Sequence, residues 1–160
     1  MNGLPQYKHI ILELKAKTAY IYLNKEESGN TICGKTVEEL YDAFQFLAPK
    51  DDIRCVVLSN KGGDFCSGPD LTWLKNSLLL SRKESIEESL IIGKLMFMIY
   101  VFSKPVVCVV KGKASSCGIG LTSVCDIVIA EENSTFVFDE VKYGFTPSLY
   151  AQYVIKKAGE

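Results

Sequence analysis

The sequence predicts one domain of the α/β class. Two apolar runs, residues 55–58 and 106–110, read as buried strands, and each feeds a small, glycine-containing turn followed by a helix-like segment. Amphipathic stretches at helical spacing lie between these units, opened by capping signals and closed by prolines. The 160 residues are enough for one domain with a real core.

The elements follow in order. Residues 1–10 form a surface lead-in. Residues 7–14 and 18–23 are β-rich and meet at Lys15-Ala16-Lys17, which predicts a hairpin. Residues 24–30 are a polar turn. Thr36 and Glu39 have the spacing of a capping box, and Val37, Leu40, Tyr41, Phe44 and Leu47 recur at helical spacing up to a stop at Pro49. Residues 53–59 are the next strand. The apolar stretch 71–80, with Trp73, follows the first small-residue turn and packs beside it. Ser81 and Glu84 form a second capping box, behind which Ile86, Leu90, Leu95, Met98, Ile99 and Phe102 mark the core face of a long helix. Ser103-Lys104-Pro105 ends that helix before the strand at 106–110. Ile119, Leu121 and Val124 then predict a short helix after the turn at 114–118. Strands at 127–130 and 135–138 follow; the second delivers Asp139 and Glu140. A helix begins near Tyr150.

Composition excludes several classes of function. The formal net charge is −1, with both signs interspersed, so bulk electrostatics offers nothing to nucleic acid or to a membrane surface. No apolar stretch has the length of a membrane span, and no signal peptide precedes the first strand. Six cysteines (Cys33, Cys55, Cys66, Cys108, Cys117, Cys125) are scattered without a C-x-x-C pair. They read as free thiols of an intracellular, reducing compartment, the cytoplasm or an organelle. The one histidine, His9, is far from any cysteine cluster. That argues against a zinc site and leaves Cys66 and Cys117 without a local base for nucleophilic work.

The chemistry sits in the two turns. A strand that ends in a small-residue turn and opens a helix leaves backbone N–H groups free beside the positive end of the helix dipole. That suits a bound anion or the oxyanion of a reacting carbonyl. Alone, the turn at 114–118 is more simply a tight strand–helix connection. Two such turns, however, can each give one N–H to a single oxygen.

The strings FCSGPDL (65–71) and VVKGKASSCGIGLTSVCDIVIA (109–130) resemble the crotonase superfamily, the enoyl-CoA hydratase/isomerase family, with its patterns F-x-x-G-x-D-[LI] and V-x-G-x-[AC]-x-G-G-G-x-x-[LF]-x-x-x-[CS]-D. The resemblance runs along most of the chain. It implies a spiral of ββα units over residues 1–160, truncated before the helical region that in the family covers the acyl pocket and builds a homotrimer. It also implies an acyl-CoA or acyl-carrier-protein thioester as substrate, with coenzyme A only as part of it and no other cofactor or metal.

By position in the motifs, the backbone N–H groups of Ser67 and Cys117 would be the oxyanion-hole donors, each worth about 2.7–4 kcal/mol to an enolate. Cys117 stands where the family commonly has Gly, which would strain it if that position needs positive φ. Lys25 would meet a phosphate of the nucleotide, or else be a solvated turn lysine. Cys66, Gly68, Asp70, Leu71 and Gly118 would line the substrate site, with Asp70 and Asp126 capping turns. Hydratases of the family carry two glutamates; here the first position is Gly120 and the second is Glu140. One carboxylate disfavours two-glutamate hydration but allows enoyl-CoA isomerisation, or dehydration where another group handles the hydroxyl. Parts of the chain also resemble the crotonase-type dehydratases and decarboxylases of polyketide β-branching. The alternative is a non-catalytic crotonase-like module that binds CoA or a protein partner.

Overall fold

The computed structural model describes residues 3–159, apart from the side chain of Tyr143. Its centre is a five-stranded sheet in the order β1-β2-β3-β4-β6. Strands β1 (Ile10–Lys15) and β2 (Thr18–Leu23) form the predicted antiparallel hairpin, turning through Ala16 at φ 52°. β3 (Cys55–Asn60) joins β2 in parallel, β4 (Val106–Val110) joins β3, and β6 (Ile127–Ala130) forms the edge. Along β4, Val106, Cys108 and Val110 are buried while Val107 and Val109 are half-buried. The continuous apolar run is the mark of a parallel strand covered on both faces.

The second sheet is a parallel pair, β5 (Lys113–Ser115) with β7 (Thr135–Val137). β5 was not predicted, because its three residues read as the start of the turn that follows.

Helix α1 (Gly34–Leu47) buries Val37, Leu40, Ala43, Phe44 and Leu47. The capping box predicted at its start does not form. Cys33 is the N-cap, without a side-chain bond, and Thr36 already lies inside the helix. Glu39 instead points back at the lead-in, accepting from the N–H groups of Lys8 and His9 at 3.1 and 2.7 Å. Lys104 closes the other end, donating to the carbonyls of Leu47 and Ala48. His9 Nδ1 lies 2.9 Å from Thr36 Oγ1, and burial lowers its pKa.

The second capping box is present: Ser81 and Glu84 exchange bonds at the start of α3 (Arg82–Tyr100). Only the C-terminal half of α3 packs into the core, through Leu95, Met96 and Ile99. Ile86 and Leu90, predicted as core, are half exposed. Helix α2 (Leu71–Ser77) precedes α3, and α4 (Cys117–Val124) follows β5. The last helix, α5 (Ala151–Ala158), docks at the end of α4 through Lys157 Nζ, which bonds the Cys125 and Asp126 carbonyls, and against the end of α3 through the Tyr100–Tyr153 ring pair. No helix among the described residues is long and apolar enough to cross a membrane.

Candidate active site

The two turns singled out in the sequence meet. Cys66 pairs with Ala114 as an isolated parallel bridge: its N–H donates to Lys113 O at 3.0 Å and its carbonyl accepts from Ser115 N at 2.8 Å. The contact is tight enough to need glycine on the facing helix. A Cβ on Gly118 would stand 2.8 Å from the Cβ of Cys66, a separation side chains do not tolerate.

Beside this junction lies a cavity of about 250 Å³. Its wall includes Pro69 and Trp73 from the first turn and α2, Ser116 and Cys117 from the second, Glu88 from α3, and Glu140, Phe145 and Tyr150 from the C-terminal segment. The lining is mostly apolar with a few polar groups, the composition expected of a small-molecule site.

Glu140 opens a single 3-10 turn (Glu140–Tyr143) directly after β7. It is 9% exposed, and among the described residues neither carboxylate oxygen has a hydrogen-bond partner. A buried carboxylate is costly unless something satisfies it, so a polar group left open on a cavity wall points to a ligand. Its neighbour Asp139 takes the opposite role. It binds Lys142, Lys113 and Ser115 at 2.5, 2.9 and 2.7 Å, and these three contacts hold its carboxyl well below the usual carboxylate range. Asp139 thereby pins the end of β7 to β5 and sets the backbone from which Glu140 projects.

Cys117 begins α4, so its N–H is one of the donors a helix start leaves without an intrahelical partner. The strain expected at Cys117 falls on the residue before it. Ser116 holds φ 49° and ψ −112°, and Cys117 itself is helical. Burial, then Cys66, then Glu140 push the Cys117 thiol up; burial pushes Cys66 up to about 12. Both shifts disfavour the thiolate and so argue against either sulfur as a nucleophile.

Other expected site residues do other work. The Ser67 N–H, expected as the first oxyanion donor, is donated to Gly29 O at 2.9 Å, and Ser67 is absent from the cavity wall. The residue of this turn on the wall is Pro69, which has no N–H. Asp70 is the N-cap of α2, accepting from Thr72 and Trp73; the Trp73 N–H above all, with Lys25, lowers its pKa. Lys25 is neither a solvated turn lysine nor open toward the cavity: its ammonium lies 3.3 Å from both Asp70 Oδ2 and Thr31 Oγ1. Leu71 is half exposed on the outside of α2, Cys66 is sealed behind the wall, and Gly68 spends its carbonyl on Ile32 N. Asp126 does not cap its own turn: it accepts from Val106 N at 2.8 Å and ties the approach to β6 to the start of β4. Of the expected site residues, Cys117 and Glu140 line the cavity. Sequence reasoning missed Pro69, Glu88 and Tyr150, whose positions on the wall come from packing rather than from motif spacing.

The family model for enoyl-CoA hydratase/isomerase matches residues 13–160. The chain belongs to the enoyl-CoA hydratase/isomerase family. It is 32% identical over 146 residues to a Thermus thermophilus protein described as an enoyl-CoA hydratase, covering 91% of this chain and 58% of that one. It is 26% identical over 158 residues to the bacillaene synthase dehydratase of Bacillus subtilis, covering 98% and 60%. The crystal structure of an enoyl-CoA hydratase from Shewanella pealeana superposes with TM-score 0.94 at 24% identity, covering 97% of this chain and 58% of that chain, and shows the crotonase fold. The chain thus spans a little over half the length of these relatives.

Proposed function

We propose that this chain acts on acyl thioesters of coenzyme A or of an acyl carrier protein, moving a proton at the α-carbon through an enolate. Glu140 is the base and the Cys117 N–H, at the start of α4, receives the thioester oxygen. The observation that carries this reading is the buried carboxylate of Glu140, without a partner among the described residues, on the wall of a cavity that also holds the helix start. A base set against preorganised backbone dipoles is what enolate formation requires. The reactions within reach are enoyl-thioester isomerisation and dehydration or hydration, and the dehydratase name of the Bacillus relative supports the latter. A homotrimer belongs to the same proposal.

The test is proton exchange at the α-carbon of butyryl-CoA in D₂O, followed by mass spectrometry. Deuterium uptake is expected, falling about 10²–10⁴-fold in Glu140→Gln, the range general bases supply, with butyryl-CoA binding retained. Uptake that ignores the substitution removes Glu140 from the chemistry.

A second reading, a non-catalytic module that binds CoA or a partner, is favoured by one observation: neither Ser67 nor Pro69 offers a free donor, since the Ser67 N–H is given to Gly29 O and Pro69 has none. Butyryl-CoA binding without any exchange would establish it.

A further inference from the structure

Glu140 is not the only buried polar group of the cavity wall without a hydrogen-bond partner among the described residues. Tyr150 is 5% exposed, and its buried hydroxyl has no hydrogen-bond partner among the described residues. A buried phenol ordinarily finds one. Its backbone is fixed by the turn into α5: its N–H donates to Pro147 O, and its carbonyl accepts from Tyr153 and Val154. Its ring lies against Gly120 of α4. A Cβ there would stand 3.0 Å from the ring and 3.1 Å from the Met96 methyl, so a side chain at Gly120 would push against the ring that Tyr150 sets on the cavity wall.

We propose that the Tyr150 hydroxyl is the second proton-transfer group of this site, and that the site dehydrates 3-hydroxyacyl thioesters. The inference rests on the enolate reading above. Dehydration needs a base at the α-carbon and an acid at the β-hydroxyl. The residues of the cavity wall carry three buried side chains without a partner among the described residues: the Glu140 carboxylate, the Tyr150 phenol and the Ser116 hydroxyl. Of the two hydroxyls the phenol is far the stronger acid. Glu140 takes the α-proton. The electron pair of that C–H bond passes into the enolate, whose charge lies on the thioester oxygen at the Cys117 N–H. As the enolate collapses, the pair forms the Cα–Cβ double bond and the Cβ–O bond breaks. The departing hydroxyl takes the phenolic proton and leaves as water. The proton on Glu140 then returns to the Tyr150 phenolate, so the site ends as it began and the net products are enoyl thioester and water. Hydration is the same sequence reversed. A buried phenol with nothing to bond is a cost of folding; a substrate hydroxyl would satisfy it.

The experiment compares Tyr150→Phe with wild type in two assays: α-proton exchange on butyryl-CoA, which needs only the base, and dehydration of a short-to-long-chain series of 3-hydroxyacyl-CoA esters. Tyr150→Phe is expected to lose about 10²–10⁴-fold more in dehydration than it loses in exchange. Its thermal midpoint should be unchanged or higher, because only an unsatisfied hydroxyl is removed. Dehydration that survives in Tyr150→Phe overturns the proposal, as does equal loss of both activities, which would make the ring merely structural. A wild type that exchanges but dehydrates no member of the series overturns the inference while leaving the enolate reading intact. A wild type that does not exchange overturns the enolate reading, and the role of Tyr150 with it.

Discussion

Ser67 gives its N–H to the carbonyl of Gly29 at 2.9 Å, and Pro69, two residues on, takes the place on the cavity wall. The bonds around Pro69 show which way its backbone faces. Ile32 donates to Gly68 O and accepts from Asp70 N, as in a parallel ladder, so the groups of Pro69 itself point away from Ile32. An N–H at that position would be free of the ladder, and proline removes it. Pro69→Ala should therefore add a donor. Exchange on butyryl-CoA is expected to rise at least about tenfold and at most by the roughly 10²–10³ that a full oxyanion-hole donor supplies. The released backbone freedom should cost about 0.4–1 kcal/mol of stability. A rate that stays level would mean that this backbone nitrogen does not face the reacting oxygen.

Asp139 makes a pH prediction. Lys142, Lys113 and Ser115 hold its folded-state carboxyl low, so its contribution to stability is fully present above the unfolded value near 3.9 and is lost as pH falls toward the folded one. Asp139→Asn should melt below wild type at pH 7. The gap should stay constant down to about pH 5 and narrow below about pH 4. Exchange should fall too, since Asp139 sets the backbone that carries Glu140. Thermal unfolding from pH 7 to pH 3 checks this; a gap independent of pH would mean that the network is not what Asp139 contributes.

The central strands, the second capping box and the turn–helix units could be read in the sequence because each is a local signal: an apolar run, a four-residue spacing, a cluster of small residues. The first capping box failed for a tertiary reason. Glu39 has the right spacing to Thr36, but the lead-in strand offers it two backbone donors in the folded state, and those win. The face of α3 was only half legible, since Leu95 and Ile99 repeat as Ile86 and Leu90 do, and periodicity does not say where along a helix the core stops. Within the site, Glu140 and Cys117 could be found from motif position. The loss of Ser67 as a donor could not, because it depends on Gly29, far away in sequence. Tyr150 could not either, because its place on the cavity wall comes from the packing of its ring against Gly120 of α4.

The two turns are also joined by a contact that only glycine permits, and this gives the remaining prediction. Gly112 lies between β4 and β5 at φ +63°, and a Cβ there would come within 2.1 Å of Gly63 O and 2.9 Å of Asp64 Oδ1. Asp64 Oδ1 accepts from Lys113 N at 3.0 Å, so this contact anchors the first turn to the start of β5. Gly112→Ala adds a left-handed conformation for a residue with a side chain, about 1–3 kcal/mol, to a clash with backbone that has little room to move. A loss of about 2 kcal/mol or more is expected, which for a chain of this size lowers the thermal midpoint by about 4–8 °C. The damage should reach the cavity, since moving the first turn away from β5 also moves Pro69 and Trp73 away from Cys117 and Glu140. Exchange on butyryl-CoA, measured at a temperature where the variant is still folded, should therefore fall along with stability. A variant that melts low but exchanges at the wild-type rate would show that the Gly63–Gly112 contact serves folding alone, and that the Cys66–Ala114 bridge is sufficient to hold the two turns in register.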